Sequence, residues 1–280
     1  MAVQTPAWIN RIWRRLGGNK TVIPVVRLHG VIAAEQRQGR LSIATVEPLL
    51  QRAFAIKSAP AVAIVVNSPG GSPVQSRLIS KRIRDLADEH EKPVLVFVED
   101  AAASGGYFIA VAGDEIIADP SSIVGSIGVI MAGFGFVGAL EKLGVERRVH
   151  TAGRNKSTLD PFLPENPSDV ERIKAVELDI HNVFIAHVKA RRGERLRAPD
   201  DVLFTGEWWP GMRGLELGLV DAIGDLHDTL RTRYGRDVVL KFIAPKRSWF
   251  GVPRLSFAAE LPGAMTATLE DRALWSRLGL

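Results

Sequence analysis

Cysteine is absent from the 280 residues. That single absence removes disulfides, zinc–thiolate sites, iron–sulfur clusters and thiol nucleophiles together. It leaves the compartment open, because a chain without thiols tolerates either redox environment. Long hydrophobic runs are missing as well. Gly, Asp or Pro interrupts each apolar stretch before the roughly 20 residues that a spanning helix needs. There is no strong excess of one charge: 36 basic against 31 acidic residues leave a formal +5. The basic residues are scattered and not gathered on one face, so no nucleic-acid partner is expected. No internal repeat or low-complexity block stands out. What is present is 46% hydrophobic and 24% charged sequence, a globular composition long enough for a sizeable core.

The densest basic run, Arg11, Arg14 and Arg15, alternates with Trp8, Ile9, Ile12, Trp13 and Leu16. Residues 7–16 therefore read as a short basic amphipathic helix. Such a helix can lie in a membrane interface or pack on its own domain or a neighbour. A secretory signal would place the basic cluster before an apolar core and a cleavage site, and this segment does not.

Beyond residue 20 the pattern alternates. Strands are expected at Val22–Val31, Ala61–Val66 and Pro93–Val98, because continuous apolar runs bounded by turn residues suit parallel strands covered on both faces. Further short strands are expected at Glu115–Ala118, Ile127–Ile130, Val145–His150 and Val238–Ile243. Helical spacing of apolar residues marks Ile43–Ile56, Val74–Glu89, Val137–Leu143 and Gly211–Leu219, and Ser104–Ala112 reads as a short helix. Pro167–Arg192 is the clearest helix. It has Ile173, Val176, Ile180, Val183, Phe184 and His187 on one stripe and a Ser168/Glu171 capping box. The alternation argues for a stacked parallel α/β core. Three segments follow: 1–20, the basic amphipathic segment; 21–244, the α/β domain; and 245–280, a docked or mobile tail.

Two glycine-bearing turns carry the chemistry. Asn67-Ser68-Pro69-Gly70-Gly71 lies between a strand and a helix, where glycines let the backbone approach a ligand and turn its N–H groups outward. An ordinary βα turn would have the same composition. Ala101-Ala102-Ala103-Ser104-Gly105-Gly106-Tyr107 puts a hydroxyl just past a strand among small neighbours. The Gly71 and Gly105 amides could then form a two-donor oxyanion hole, although close helix packing also explains small residues there.

A nucleophilic serine needs a base. His29, His90, His150, His181, His187 and His227 sit in no recognisable motif. Lys156 follows Gly153-Arg154-Asn155 in a turn-rich stretch, where a lysine is ordinarily just solvated. An unperturbed lysine has a pKa near 10.4, so only about 0.04% is neutral at pH 7. Service as a base requires burial that removes its charge preference. Ser126, in Val124-Gly125-Ser126-Ile127-Gly128, could orient the neutral amine; otherwise it is a turn serine.

Taken in order, Asn-Ser-Pro-Gly-Gly, Ala-Ala-Ser-Gly-Gly-Tyr, Val-Gly-Ser-Ile-Gly-Val and Gly-x-x-Lys-Ser resemble the signal peptide peptidase A family of serine–lysine peptidases. Ser126 and Lys156 follow Ser104 by 22 and 52 positions. Phe204-Thr205-Gly206 and Gly214–Asp221 resemble the same family, and the likeness spans about 22–228. It implies a Clp-protease/crotonase-like superhelix of βαβ units with an additional C-terminal helical part. It further implies Ser104 as nucleophile, Lys156 as general base, Ser126 orienting the lysine, and Gly71 and Gly105 as the oxyanion hole. No metal or cofactor is implied. Partners would be peptide substrates, signal-peptide remnants or other unfolded hydrophobic segments, and further copies of the chain in a ring or dome. Family members carry an N-terminal membrane anchor. None is read here beyond residues 7–16, so the expectation is a bacterial protein, cytoplasmic or peripheral at the inner membrane.

Three other readings compete. Gly133-Phe134-Gly135-Phe136-Val137-Gly138 matches G-x-G-x-x-G, but no acidic residue ends the next strand as a dinucleotide site requires. A crotonase-type acyl-CoA enzyme would share the two amides and use carboxylates in place of Ser104 and Lys156. A non-catalytic peptide-binding scaffold would need neither.

Overall fold

The computed structural model describes residues 20–35, 39–245 and 271–280; the amphipathic segment expected at 7–16 lies outside them. An eight-stranded sheet forms the centre. Its strands are β1 (Val22–His29), β4 (Val62–Ser68), β5 (Val94–Ala103), β6 (Glu115–Ala118), β7 (Ile123–Gly125), β8 (Trp208–Pro210), β9 (Ala222–Ile223) and β10 (Val239–Phe242). The main path runs β10-β1-β4-β5-β6-β9, all parallel, with β7 branching from β5 and β8 pairing antiparallel to β7. Two short strands, β2 (Val31–Ile32) and β3 (Arg40–Leu41), form a separate parallel pair.

Parallel strands need crossover connections, and helices supply them. Helix α1 (Ile43–Phe54) links β3 to β4, α2 (Pro73–Glu89) links β4 to β5, and α3 (Gly105–Ala110) links β5 to β6. On one face Val26, Leu28, Ile64, Val66 and Val96 pack against Val46, Leu50 and Phe54 of α1 and Ile79 and Ile83 of α2. On the other, Val25, Ala63, Val65, Leu95 and Phe97 meet Leu226 and Leu230 of α8 (Leu226–Tyr234). Successive side chains point to opposite faces and both faces are covered. That is why these strands read as unbroken apolar runs.

The branch at β5 builds the site. Leu95–Val98 pair with β6, whereas Ala101–Ala103 pair with β7. Between them the register to β4 shifts at Val66/Ser68. The Asn67 side chain fills the gap: its carbonyl oxygen accepts from Ala101 N–H (3.2 Å) and its amide donates to Asp100. So the first residue of the Asn-Ser-Pro-Gly-Gly motif stitches the bend that turns the end of β5 toward Ser104.

Four further helices follow: α4 (Val137–Leu143), α5 (Pro167–Arg192), α6 (Asp200–Leu203) and α7 (Gly211–Leu217). Arg192, buried at the end of α5, donates to the Gly218 carbonyl (2.7 and 3.0 Å) and pairs with Asp221 (2.7 Å). Asp221 in turn accepts from Ile116 N–H of β6. The Tyr107 hydroxyl, fully buried, donates to the Leu219 carbonyl. The Gly214–Asp221 motif therefore joins α3, α5 and β6.

Several local expectations are corrected. The strand expected at Ile127–Ile130 lies upstream at Ile123–Gly125, where Ala101–Ala103 offer an edge. Val145–His150 is irregular and exposed, with no neighbouring strand among the described residues. The cap of α5 is Asn166, whose side chain accepts from Ser168 N–H, with Pro167 opening the helix, and not a Ser168/Glu171 box. Of its expected stripe only Phe184 is buried, beside Val188 and Arg192, while Val176 and Val183 are half exposed. The G-x-G-x-x-G run follows no strand, and its glycines face open space.

Candidate active site

The turn after β4 is forced by its contacts. Ile32 of β2 clamps it from one side: Ile32 N–H donates to the Gly70 carbonyl and Ser72 N–H donates to the Ile32 carbonyl, both at 2.8 Å. The Gly71 N–H between them is left facing the other way. Gly70 and Gly71 have φ of +105° and +136°, values that L-residues rarely adopt. Ser72 caps α2 through its side chain, and Pro73 opens the helix.

The turn after β5 is strained at a serine. Ser104 adopts φ +51°, ψ −120° between the buried Ala101–Ala103 and the wholly buried α3. Its N–H donates to the Gly125 carbonyl of β7 (2.8 Å) and its carbonyl accepts from Phe108 N–H. A non-glycine residue there costs on the order of 1–3 kcal/mol, and the surroundings hold it. Ser104 is half-buried between buried neighbours on both sides. A Cβ on Gly105 would sit 3.4 Å from the Gly71 nitrogen, so the two amides are neighbours. Neither N–H donates to another group among the described residues. Ser126 is strained in the same sense, with φ +53°, and its N–H donates to the Glu207 carbonyl.

Two cavities meet at Ser104. One, of about 620 Å3, is lined by Gly71, Ser104, Ser126, Thr205, Trp208 and Leu278 among others. The other, of about 260 Å3, is nearly all apolar. Phe108, Val129, Ile180, Val183 and Phe184 surround Ser104 and Gly105 there. Of the five residues singled out from the sequence, Gly71, Gly105, Ser104 and Ser126 thus share one neighbourhood.

Lys156 does not join them within one chain. It is exposed in the turn-rich stretch before α5, lines neither cavity and makes no side-chain hydrogen bond or ion pair among the described residues. Residues 129–156 are exposed almost throughout, and α4 buries no residue. Phe134 is 81% and Leu143 74% exposed. No histidine takes the lysine's place: among the described residues none hydrogen-bonds Ser104. Contacts that residue-type reasoning missed are Trp208 and the C-terminal Leu274, Arg277 and Leu278. Thr205 and Gly206, by contrast, fall in a stretch already singled out.

His187 supports the apolar cavity from behind. Its ring stacks on Phe108 (4.1 Å, 12°), and Nε2 lies 3.1 Å from both Ser80 Oγ and the Phe108 carbonyl. Burial lowers its pKa to about 4; the Phe108 carbonyl works the other way, and Arg191 and Arg77 add to the lowering. The folded state thus prefers the neutral ring. Its stabilising share is complete above the unfolded pKa near 6.5 and is lost as pH falls toward 4, at most about 3 kcal/mol. Urea midpoints measured between pH 7 and 4.5 should fall less in His187→Gln than in the native chain. Parallel pH slopes would refute the assignment.

Comparison with known proteins adds four findings. The profile of Peptidase family S49 matches residues 87–235, more than half of the chain. A Brucella abortus protein named Na(+)/H(+) antiporter NhaA is 54% identical over 281 residues, 95% of this chain but 38% of that protein. Protease 4 of Haemophilus influenzae is 32% identical over 216 residues, 74% of this chain and 34% of that one. The chain therefore spans little more than a third of these relatives' length. The antiporter name belongs to a protein most of which lies outside the match. No helix among the described residues here is long and apolar enough to cross a membrane. Among solved structures, a mutant of the 1510-N membrane-bound stomatin-specific protease superposes with a TM-score of 0.51 at 17% identity, covering 81% of this chain and 99% of that one. The likeness carries the fold: a Clp-protease/crotonase-like α/β architecture.

Proposed function

Since the chain belongs to peptidase family S49, we propose that it is a serine endopeptidase whose nucleophile is Ser104 and whose general base is Lys156 of an adjacent copy. The observation that carries this reading is the strained Ser104 turn beside two unpartnered amides, Gly71 and Gly105. Ser104 Oγ attacks the scissile carbonyl carbon and passes its proton to the neutral Lys156 amine. The carbonyl oxygen, now an oxyanion, accepts from the Gly71 and Gly105 N–H groups. Donors preset for that charge are worth about 3 kcal/mol each. The C–N bond then breaks, and the leaving amine takes the proton from Lys156. Water attacks the acyl-enzyme carbonyl, its proton going to the same amine, and as the acyl–oxygen bond breaks Ser104 Oγ takes that proton, which restores the hydroxyl and the neutral lysine. Ser126 orients the amine.

The apolar cavity suits a hydrophobic side chain next to the scissile bond, and the substrate class is unfolded hydrophobic peptide such as a signal-peptide remnant. The exposed apolar surface of residues 129–156 suits association with another copy in a ring or dome. Burial at that boundary supplies the desolvation that the lysine needs.

A fluorophosphonate should label the native protein once, on Ser104. Ser104→Ala should lose both the label and peptide cleavage, at least about a thousandfold. Cleavage surviving in Ser104→Ala, or a label elsewhere, would defeat the assignment of Ser104; a native protein with neither label nor cleavage would favour the acyl-CoA or scaffold readings.

A further inference from the structure

Among the described residues, the two cavities flanking Ser104 contain no carboxylate in their lining. Each has one charged residue: Arg277 in the larger and Arg77 in the apolar one. Both are exposed, and neither has an ion pair among the described residues. An uncompensated cation in a concave, partly apolar site focuses positive potential on whatever enters.

Arg277 is held there by a docked segment. Residues 271–276 are helical and end in a left-handed glycine, Gly279 (φ +76°). Leu280 N–H donates to the Trp275 carbonyl and Gly279 N–H to the Ser276 carbonyl. This is the paired bonding of a glycine-terminated helix end. One face is pinned to the domain. Asp271 pairs with Arg40 (3.0 Å), Trp275 stacks on His29, and Leu278 is buried on Ala101 and Ala103, the strand residues just before Ser104. Leu274, Arg277 and Leu278, spaced three and four apart, turn toward the cavity shared with Ser104. The tail thus forms a wall of the cleft and sets the charge on that side.

We infer that Arg277 is a specificity-determining residue that recognises a carboxylate on the peptide substrate, either an acidic side chain or the chain's terminal carboxylate. The inference rests on the peptidase reading and deepens it.

The test uses the full chain and matched peptide sets. In one arm an amidated peptide carries Asp, Asn or Lys near the scissile bond. In the other a neutral peptide ends in a free acid or an amide. At low salt the native chain should favour the carboxylate in at least one arm, by roughly fivefold in kcat/KM, the upper range for an exposed pair. The preference should shrink as salt screens it. Arg277→Lys should retain the preference and Arg277→Glu should invert it, and the responding arm identifies the source of the carboxylate. If Arg277→Glu leaves both ratios unchanged, the inference falls. Fluorophosphonate labelling of Ser104 and cleavage of the Asn peptide by the native chain would then show that the peptidase reading still stands.

Discussion

Co-expression of Ser104→Ala with Lys156→Ala, each inactive alone, restores about a quarter of native activity if each site draws its serine from one copy and its lysine from another. The fraction follows from random assembly: half the sites have a sound serine, and half of those face a sound lysine. If both residues came from one chain, every site would lack one of them and the mixture would be silent. Ser104 sits in a cleft, whereas Lys156 is exposed and lines no part of that cleft. Within a lone chain the Lys156 amine is therefore out of reach of the Ser104 hydroxyl. The same stretch presents Phe134 and Leu143 to solvent, apolar area of the kind that marks an interface. Distinct affinity tags on the two variants would prove that mixed particles form. Mixed particles without recovered activity would overturn the arrangement.

The separation between what the chain announces and what it conceals follows the same boundary. Strands β1, β4 and β5 were legible because they are covered on both faces, and so were α1 and α2, which bury one stripe each. The expected strand Val145–His150 misled because its apolar residues, Val145 and Val149, are exposed. In sequence, apolar residues that stay exposed read like apolar residues directed at a core. The outer half of α5 misled in the same way through Val176 and Val183. At the site, the order of the glycine motifs was enough to gather Gly71, Gly105, Ser104 and Ser126. The positive φ of Ser104 was not legible, because it is imposed by β7 and α3 holding the turn from both sides and by no residue type at the turn itself. The wall supplied by Leu274, Arg277 and Leu278 was hidden for a further reason. A short segment far along the chain shows no periodicity long enough to reveal which surface it meets.

Gly71→Ala should be severely damaging to both the fold and the site. A Cβ there would lie 2.1 Å from the carbonyl oxygen of the buried Ile32, and that carbonyl is tied to Ser72 N–H. The backbone at φ +136° adds strain of its own. Gly235→Ala separates the two effects: φ there is +94°, yet nothing lies within 4 Å of the added methyl. Strain alone should lower stability by about 1–3 kcal/mol and leave the fluorophosphonate labelling rate of Ser104 untouched, since Gly235 ends α8 on the opposite face of the sheet. Gly71→Ala must also push the Gly70–Gly71 turn off Ile32, which should cost upwards of about 3 kcal/mol. If that amide serves the oxyanion as proposed, its displacement should slow labelling by about a hundredfold or more. A Gly71→Ala protein with native labelling kinetics and a native denaturation midpoint would mean that the turn yields freely, and that the clamp from β2 does not set the geometry of the site.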